Sequence, residues 1–175
     1  MHHILKVEHL KNKIKEIHMG DTVELTGEIY TARDAAHKRM DEMLNSSRPL
    51  PFALEGSVIY YAGPTPGNKN MPVGSCGPTT SGRMDVFAPR LLDLGLIAMI
   101  GKGERSNQVV DAIKRNSAIY FCAIGGAGAL YAKCIKECNV IAFDDLGCES
   151  IKRLKIENFP LITAIDCFGN NIFNK

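Results

Sequence analysis

"LIAMIGKGERSNQVVDAIKRNSAIYFCAIGGAG", residues 96–128, runs through a strand, a helix and a second strand in one passage. "LIAMIGKG" is a short apolar run that ends in a glycine loop, the mark of a buried strand. Ser106 stands at the N-cap of "SNQVVDAIKRN", which reads as a helix, and "SAIYFCAI" follows it as a strand. Strand, helix and strand at this spacing predict a parallel or mixed sheet with helices on it. Ligands gather beyond the carboxyl ends of such strands.

The same alternation extends outward in both directions. "DTVELTGEIY", residues 21–30, alternates apolar and polar as a half-buried strand, and "RDAAHKRMDEML" after it has helix-forming composition. "SRPLPFALEG" at 47–56 reads as a loop, "SVIYYAG" at 57–63 as a strand ending in the turn "GPTPG". "MDVFAPRLLDLG" from Met84 reads as a helix limited by Pro89 and closed by Gly95. Downstream, "ALYAKCIKEC" is expected as a helix and "NVIAFD" as a strand. The fold class is therefore α/β, a mixed sheet with flanking helices.

The chain has 175 residues, 45% hydrophobic and 23% charged, which suits a single domain over 1–175 with a short N-terminal extension at about 1–19. A net charge of +2 is too small to point to nucleic acid or a membrane surface, and the longest apolar runs are too short to span a bilayer. Six cysteines, Cys76, Cys122, Cys134, Cys138, Cys148 and Cys167, follow no signal peptide, so they are expected as reduced thiols of a cytoplasmic protein. Cys134 and Cys138 could share a metal one helical turn apart. With no third ligand beside them, the better reading is buried small hydrophobes.

The motif loops fall at strand ends. "GSCGPTTSGRMD", Gly74–Asp85, surrounds a Pro-Thr-Thr-Ser run with glycines. There Thr80 or Ser81 can cap a helix, and Arg83 offers a fork for a carboxylate. "IGKGE" puts Lys102 between glycines after a buried strand, where a flexible ammonium could reach the same pocket. "TARDAAHKR" sets Arg33 at a strand-to-helix junction, with Asp34 as partner of the helix dipole and His37 one turn along. "IGGAGAL" has the wrong spacing for a dinucleotide site and reads as close helix packing. Three cations and several hydroxyls can hold a dicarboxylate. A metal constellation, a cysteine activated by histidine and paired carboxylates within one motif are all missing, so these residues cannot readily do chemistry on it alone.

"TARDAAHKRM", "GPTTSGRMD", "IGKG" and "AIGGAGAL", in that order and spacing, resemble the β-type domain or subunit of the iron–sulfur hydro-lyases, the class I fumarases and L-tartrate dehydratases. The resemblance runs from about Gly20 to the C-terminus. It implies a swivelling β/β/α domain and reversible hydration of fumarate to L-malate. It also implies a [4Fe-4S] cluster ligated by a cysteine-bearing α subunit rather than by this chain, in a heterotetramer. L-tartrate dehydration, or a non-catalytic dicarboxylate-binding module, are the alternatives. By resemblance, Arg33 and Arg83 bind substrate carboxylates, Lys102 binds substrate and takes part in catalysis, and Thr79 is the catalytic base. In this class the open iron is the Lewis acid on the hydroxyl. A threonine hydroxyl is a poor base, so Lys102 or a partner carboxylate would have to lower its pKa.

Overall fold

The computed structural model describes residues 1–174, which form nine strands and five α-helices. The first 19 residues, expected as an extension, belong to the body of the molecule. Strand β1 (His2–Lys6) pairs in parallel with β2 (Thr22–Thr31), and helix α1 (Leu10–Lys13) with the turn after it buries Leu10, Ile14 and Ile17 in the core. Each such side chain contributes about 1.5–3 kcal/mol by leaving water. Helix α2 (Asp34–Asn45) follows the predicted span.

Strand β3 (Val58–Tyr60) leads into a small hairpin of β4 (Pro66–Asn68) and β5 (Met71–Val73), where only a turn was expected. Helix α3 (Ala88–Asp93) is shorter than predicted because Pro89 sits in its first turn: with no N–H to give, proline starts the helix here instead of interrupting it. Strand β6 (Ala98–Gly101), helix α4 (Asn107–Arg115) and strand β7 (Ile119–Cys122) fall where the opening passage places them. Ser106 Oγ accepts from Val109 N–H at 3.4 Å as the N-cap.

Helix α5 (Gly128–Cys134) stops early, and residues expected to continue it form strand β8 (Ile135–Ala142). Ile135 already has extended backbone and pairs with Ile156, so Cys134 and Cys138 are not one helical turn apart. The last strand, β9 (Ile151–Ile165), fifteen residues long, was not predicted.

This strand organises the sheet. The order is β1-β2-β3-β6-β7-β9-β8, and β9 also pairs with β2, so β2, β3, β6, β7 and β9 close into a ring. All strands of the ring run parallel except β9. Side chains of β3, β6 and β7 enter two cores alternately: Val58, Tyr60, Ala98, Ile100, Ile119 and Phe121 inside the ring, and Ile59, Met99 and Tyr120 under α2, α3 and α4. Burial on both faces is what the near-continuous apolar runs of these strands require. The carboxyl ends of β2, β3, β6 and β7 lie side by side at one end of the ring, and the amino end of β9 flanks that of β2. No helix among the described residues is long and apolar enough to cross a membrane.

Candidate active site

The site is built from loops at that end. After β2, Arg33 takes extended backbone and its carbonyl accepts from both His37 N–H (2.9 Å) and His37 Nδ1–H (2.8 Å), which fixes where α2 begins. The Arg33 side chain is three-quarters buried, its Nε has no hydrogen-bond partner, and Glu149 Oε1 stands 3.8 Å from that atom. Gly63, after β3, lets this packing be tight. A Cβ there would come within 3.2 Å of both Arg33 Nη1 and the Cys148 carbonyl.

The turn Gly74–Asp85 lies across the ends of β3 and β6. Thr79 N–H donates to the Tyr61 carbonyl at 2.7 Å, and Thr80 forms a bridge with Lys102. Residues Ser81–Met84 form a 3-10 turn that neither Thr80 nor Ser81 caps with its side chain, contrary to the sequence expectation. Ser81 is fully buried and serves the neighbouring loop instead. Its Oγ accepts from Lys102 N–H at 3.0 Å and is hydrogen-bonded to Tyr120 Oη at 2.8 Å, and its N–H donates to the Lys102 carbonyl at 2.9 Å. Gly101 makes room for it, because a Cβ there would collide with Ser81 Oγ. The backbone of Lys102 is thereby clamped while its ammonium has no carboxylate within 4 Å among the described residues and lies beside Gly125 of the "GGAG" loop.

That glycine loop behaves as predicted, as a close-packing device. The Gly128 carbonyl accepts from Cys76 N–H at 3.1 Å, and a Cβ on Gly128 would run into Ser75 Oγ. Arg83, expected to offer a free fork, is already engaged: Nε donates to Asp34 Oδ1 at 2.9 Å and Nη2 to Asp34 Oδ2 at 2.6 Å. Asp34, first residue of α2, is therefore both the expected partner of the helix dipole and a ligand of Arg83.

The pairing of Arg105 with Asp85 escaped the sequence reading, and so did the burial of His37. The Arg105 guanidinium is fully buried, 4.8 Å over the Tyr120 ring and 5.3 Å over that of Tyr61, and its Nε donates to Asp85 Oδ1 at 2.6 Å. Asp85 Oδ2 accepts from Ser106 N–H at 2.6 Å, so one carboxylate ties the "TSGRMD" turn to the "GKGERS" loop and to the start of α4. The clue was an arginine in a loop beside an N-cap, which is uninformative without its partner. His37 lies sealed between Tyr61 and Phe87 with Nε2 unpartnered. Burial, helped by the Arg105 charge, lowers its pKa to about 4, so it stays neutral at ordinary pH.

The donor set does not fit a metal centre. No group of three His, Cys, Asp or Glu side chains gathers among the described residues, and all six cysteines are free thiols. Burial pushes Cys76 up to about 12 and raises Cys122, Cys134, Cys138 and Cys167 as well, the opposite of what a thiolate ligand needs.

The arrangement thus brings Arg33, Arg83, Lys102 and the pair Thr79 and Thr80 onto interlocked loops at one end of a closed sheet. The family described as Fumarase C-terminus matches residues 2–175. Fumarate hydratase 2 of Leishmania major is 36% identical over 171 residues, covering 97% of this chain and 30% of that protein. The anaerobic class I fumarate hydratase of Escherichia coli (strain K12) is 36% identical over 165 residues, 93% of this chain and 30% of its own length. A Methanocaldococcus jannaschii protein provisionally named L(+)-tartrate dehydratase subunit beta is 40% identical over 171 residues, 94% of this chain and 88% of its own. The chain thus spans about 30% of the fumarate hydratases and most of the length of the subunit.

Proposed function

We propose, because this chain belongs to the Fumarase C-terminus family, that it is the β part of a two-part hydro-lyase and carries the carboxylate-binding half of the active site. The reaction is the reversible hydration of fumarate to L-malate. The observation that carries this reading is the gathering of Arg33, Thr79, Arg83 and Lys102 on loops at one end of the ring. The interlocking of those loops, by Thr80 with Lys102 and by Asp34 with Arg83, supports it.

Arg33 and Arg83 hold the two carboxylates of the substrate, and Thr79 Oγ1 takes the C3 proton of L-malate. In this reading Lys102 favours a deprotonated Thr79 and balances the negative charge that builds up on the carbon skeleton. The clamped Lys102 backbone and the Thr79–Tyr61 hydrogen bond keep these groups in place before substrate arrives. Departure of the hydroxyl group belongs to the other part of the enzyme. The [4Fe-4S] cluster belongs there too, since the donors of this chain do not fit it, and we assign it to a cysteine-bearing α subunit in a heterotetramer. The free thiols support a reducing, cytoplasmic setting.

The test is anaerobic assembly of the chain with a candidate α subunit, followed by assay of fumarate and tartrate side by side. Thr79→Ala should lower kcat by roughly a hundredfold or more with little change in melting temperature. Near wild-type turnover would remove Thr79 from the role of base. Activity of this chain alone would overturn the two-part reading. L-tartrate dehydration is the second reading, favoured by the match along 88% of the tartrate-named subunit, and the paired assay separates the two.

A further inference from the structure

We propose that Asp34 is a positioning residue for substrate binding: it holds Arg83 by one edge so that the other edge faces the substrate carboxylate. This rests on the assignment of Arg83 to the substrate site made above.

A guanidinium has a side edge, formed by Nε and one terminal nitrogen, and an end, formed by the two terminal nitrogens. Asp34 occupies the side edge of Arg83 with two hydrogen bonds, 2.9 Å from Nε and 2.6 Å from Nη2. Among the described residues no acceptor reaches Nη1, so the end is available, and the side chain is 52% exposed. An unpaired arginine at that exposure would sample many rotamers. Two parallel charge-assisted bonds restrict it to few.

Asp34 is itself fixed. It opens α2, where the helix dipole favours a carboxylate, and the helix start is held by the two hydrogen bonds from His37 to the Arg33 carbonyl. Arg33 and Asp34 are chain neighbours, so one dipeptide supplies a cation directly and sets the position of the second. The separation of the two cations, which must match the span of a dicarboxylate, is then referred to a single rigid helix start.

Removing the negative charge of Asp34 would, by Coulomb's law alone, strengthen binding of a dianion next to it. Positioning predicts the reverse, and that opposition makes the test sharp. In the enzyme assembled with its α subunit, Asp34→Asn should raise KM for L-malate roughly tenfold with kcat changed far less. The inhibition constant of succinate, an unreactive dicarboxylate, should rise in step. In an Arg83→Met background the same substitution should have no further effect, because Asp34 acts through Arg83. Asp34→Glu, which keeps the charge, should recover part of the loss, and melting temperatures of all variants establish that they are folded.

An unchanged or lowered KM in Asp34→Asn overturns the proposal, the lowered value making Asp34 a competitor of the substrate. An equal loss with and without Arg83 also overturns it and makes Asp34 a structural residue. If Arg83→Met alone leaves kcat/KM untouched, the assignment of Arg83 fails and this proposal falls with it, an outcome distinct from the others because it appears in the single variant.

Discussion

One short turn, Ser81–Asp85, holds two arginine–aspartate pairs that could hardly be more different. Arg105 is sealed against Tyr61 and Tyr120 with its guanidinium fully buried and its partner Asp85 is mostly buried, whereas Arg83 and Asp34 stand about half and one-third open to water. In the first, the aspartate comes from the turn and the arginine from the loop after β6. In the second, the arginine comes from the turn and the aspartate from α2. The turn is pinned by its buried acid and presents its exposed base. The difference teaches that ion-pair geometry alone does not tell a fastening from a binding group. Both have short, charge-assisted bonds, and what distinguishes them is whether an edge of the guanidinium remains accessible.

The contrast can be broken at its strong side first. Asp85→Ala leaves a buried guanidinium without its partner and Ser106 N–H without its acceptor, and should cost about 3–5 kcal/mol in urea unfolding. A loss below about 1 kcal/mol would deny the pair its role as a fastening.

The next effect comes from His37, which packs against the same Tyr61. Its folded pKa, about 4, lies below the ordinary value of 6.5. The unfolded chain therefore takes up a proton that the folded chain refuses. The stability associated with neutral His37 is fully present above about pH 6.5 and is lost progressively as the pH falls to about 4, a total of about 3 kcal/mol. Unfolding curves of wild type and His37→Gln across that range should converge as the pH falls, and parallel curves would refute the assignment.

The smallest effect on stability belongs to the open pair. Arg83→Met should change unfolding free energy by no more than about 0.5 kcal/mol, as befits an exposed ion pair, while kcat/KM falls steeply in the assembled enzyme. A large loss of stability would erase the distinction between the two pairs.

Much of this architecture was legible from the residues. β2, β6 and β7 follow period two or continuous apolar runs, α2 has helix-forming composition and α4 a capping serine, so local physics and tertiary structure agree. β9 was illegible for a definite reason. Asn158 sits at φ +49°, Pro160 interrupts the donors, and the register against β2 shifts between Leu25 and Gly27, so no clean alternation survives along its length. The end of α5 was misplaced because Cys134 and Cys138 mimic helical spacing, whereas Ile135 pairs into the sheet. In the candidate site, the cations and threonines stand out as chemistry in glycine loops. The pairings Asp85–Arg105 and Asp34–Arg83 do not, because each joins residues far apart in sequence and only the fold brings them together.

The closure of the ring by β9 also has a consequence for synthesis. Thr22 pairs with Ile162 and Thr31 with Lys152, so β2 must wait for β9. Until β9 has been made, β2 and β7 each keep a bare edge that could recruit a neighbouring chain. Contacts of such long range fold slowly, and a ribosome that stalls before Ile151 would leave a nascent chain with its sheet open. Emergence of β9 is thus the step at which this sheet exchanges an aggregation hazard for a closed ring.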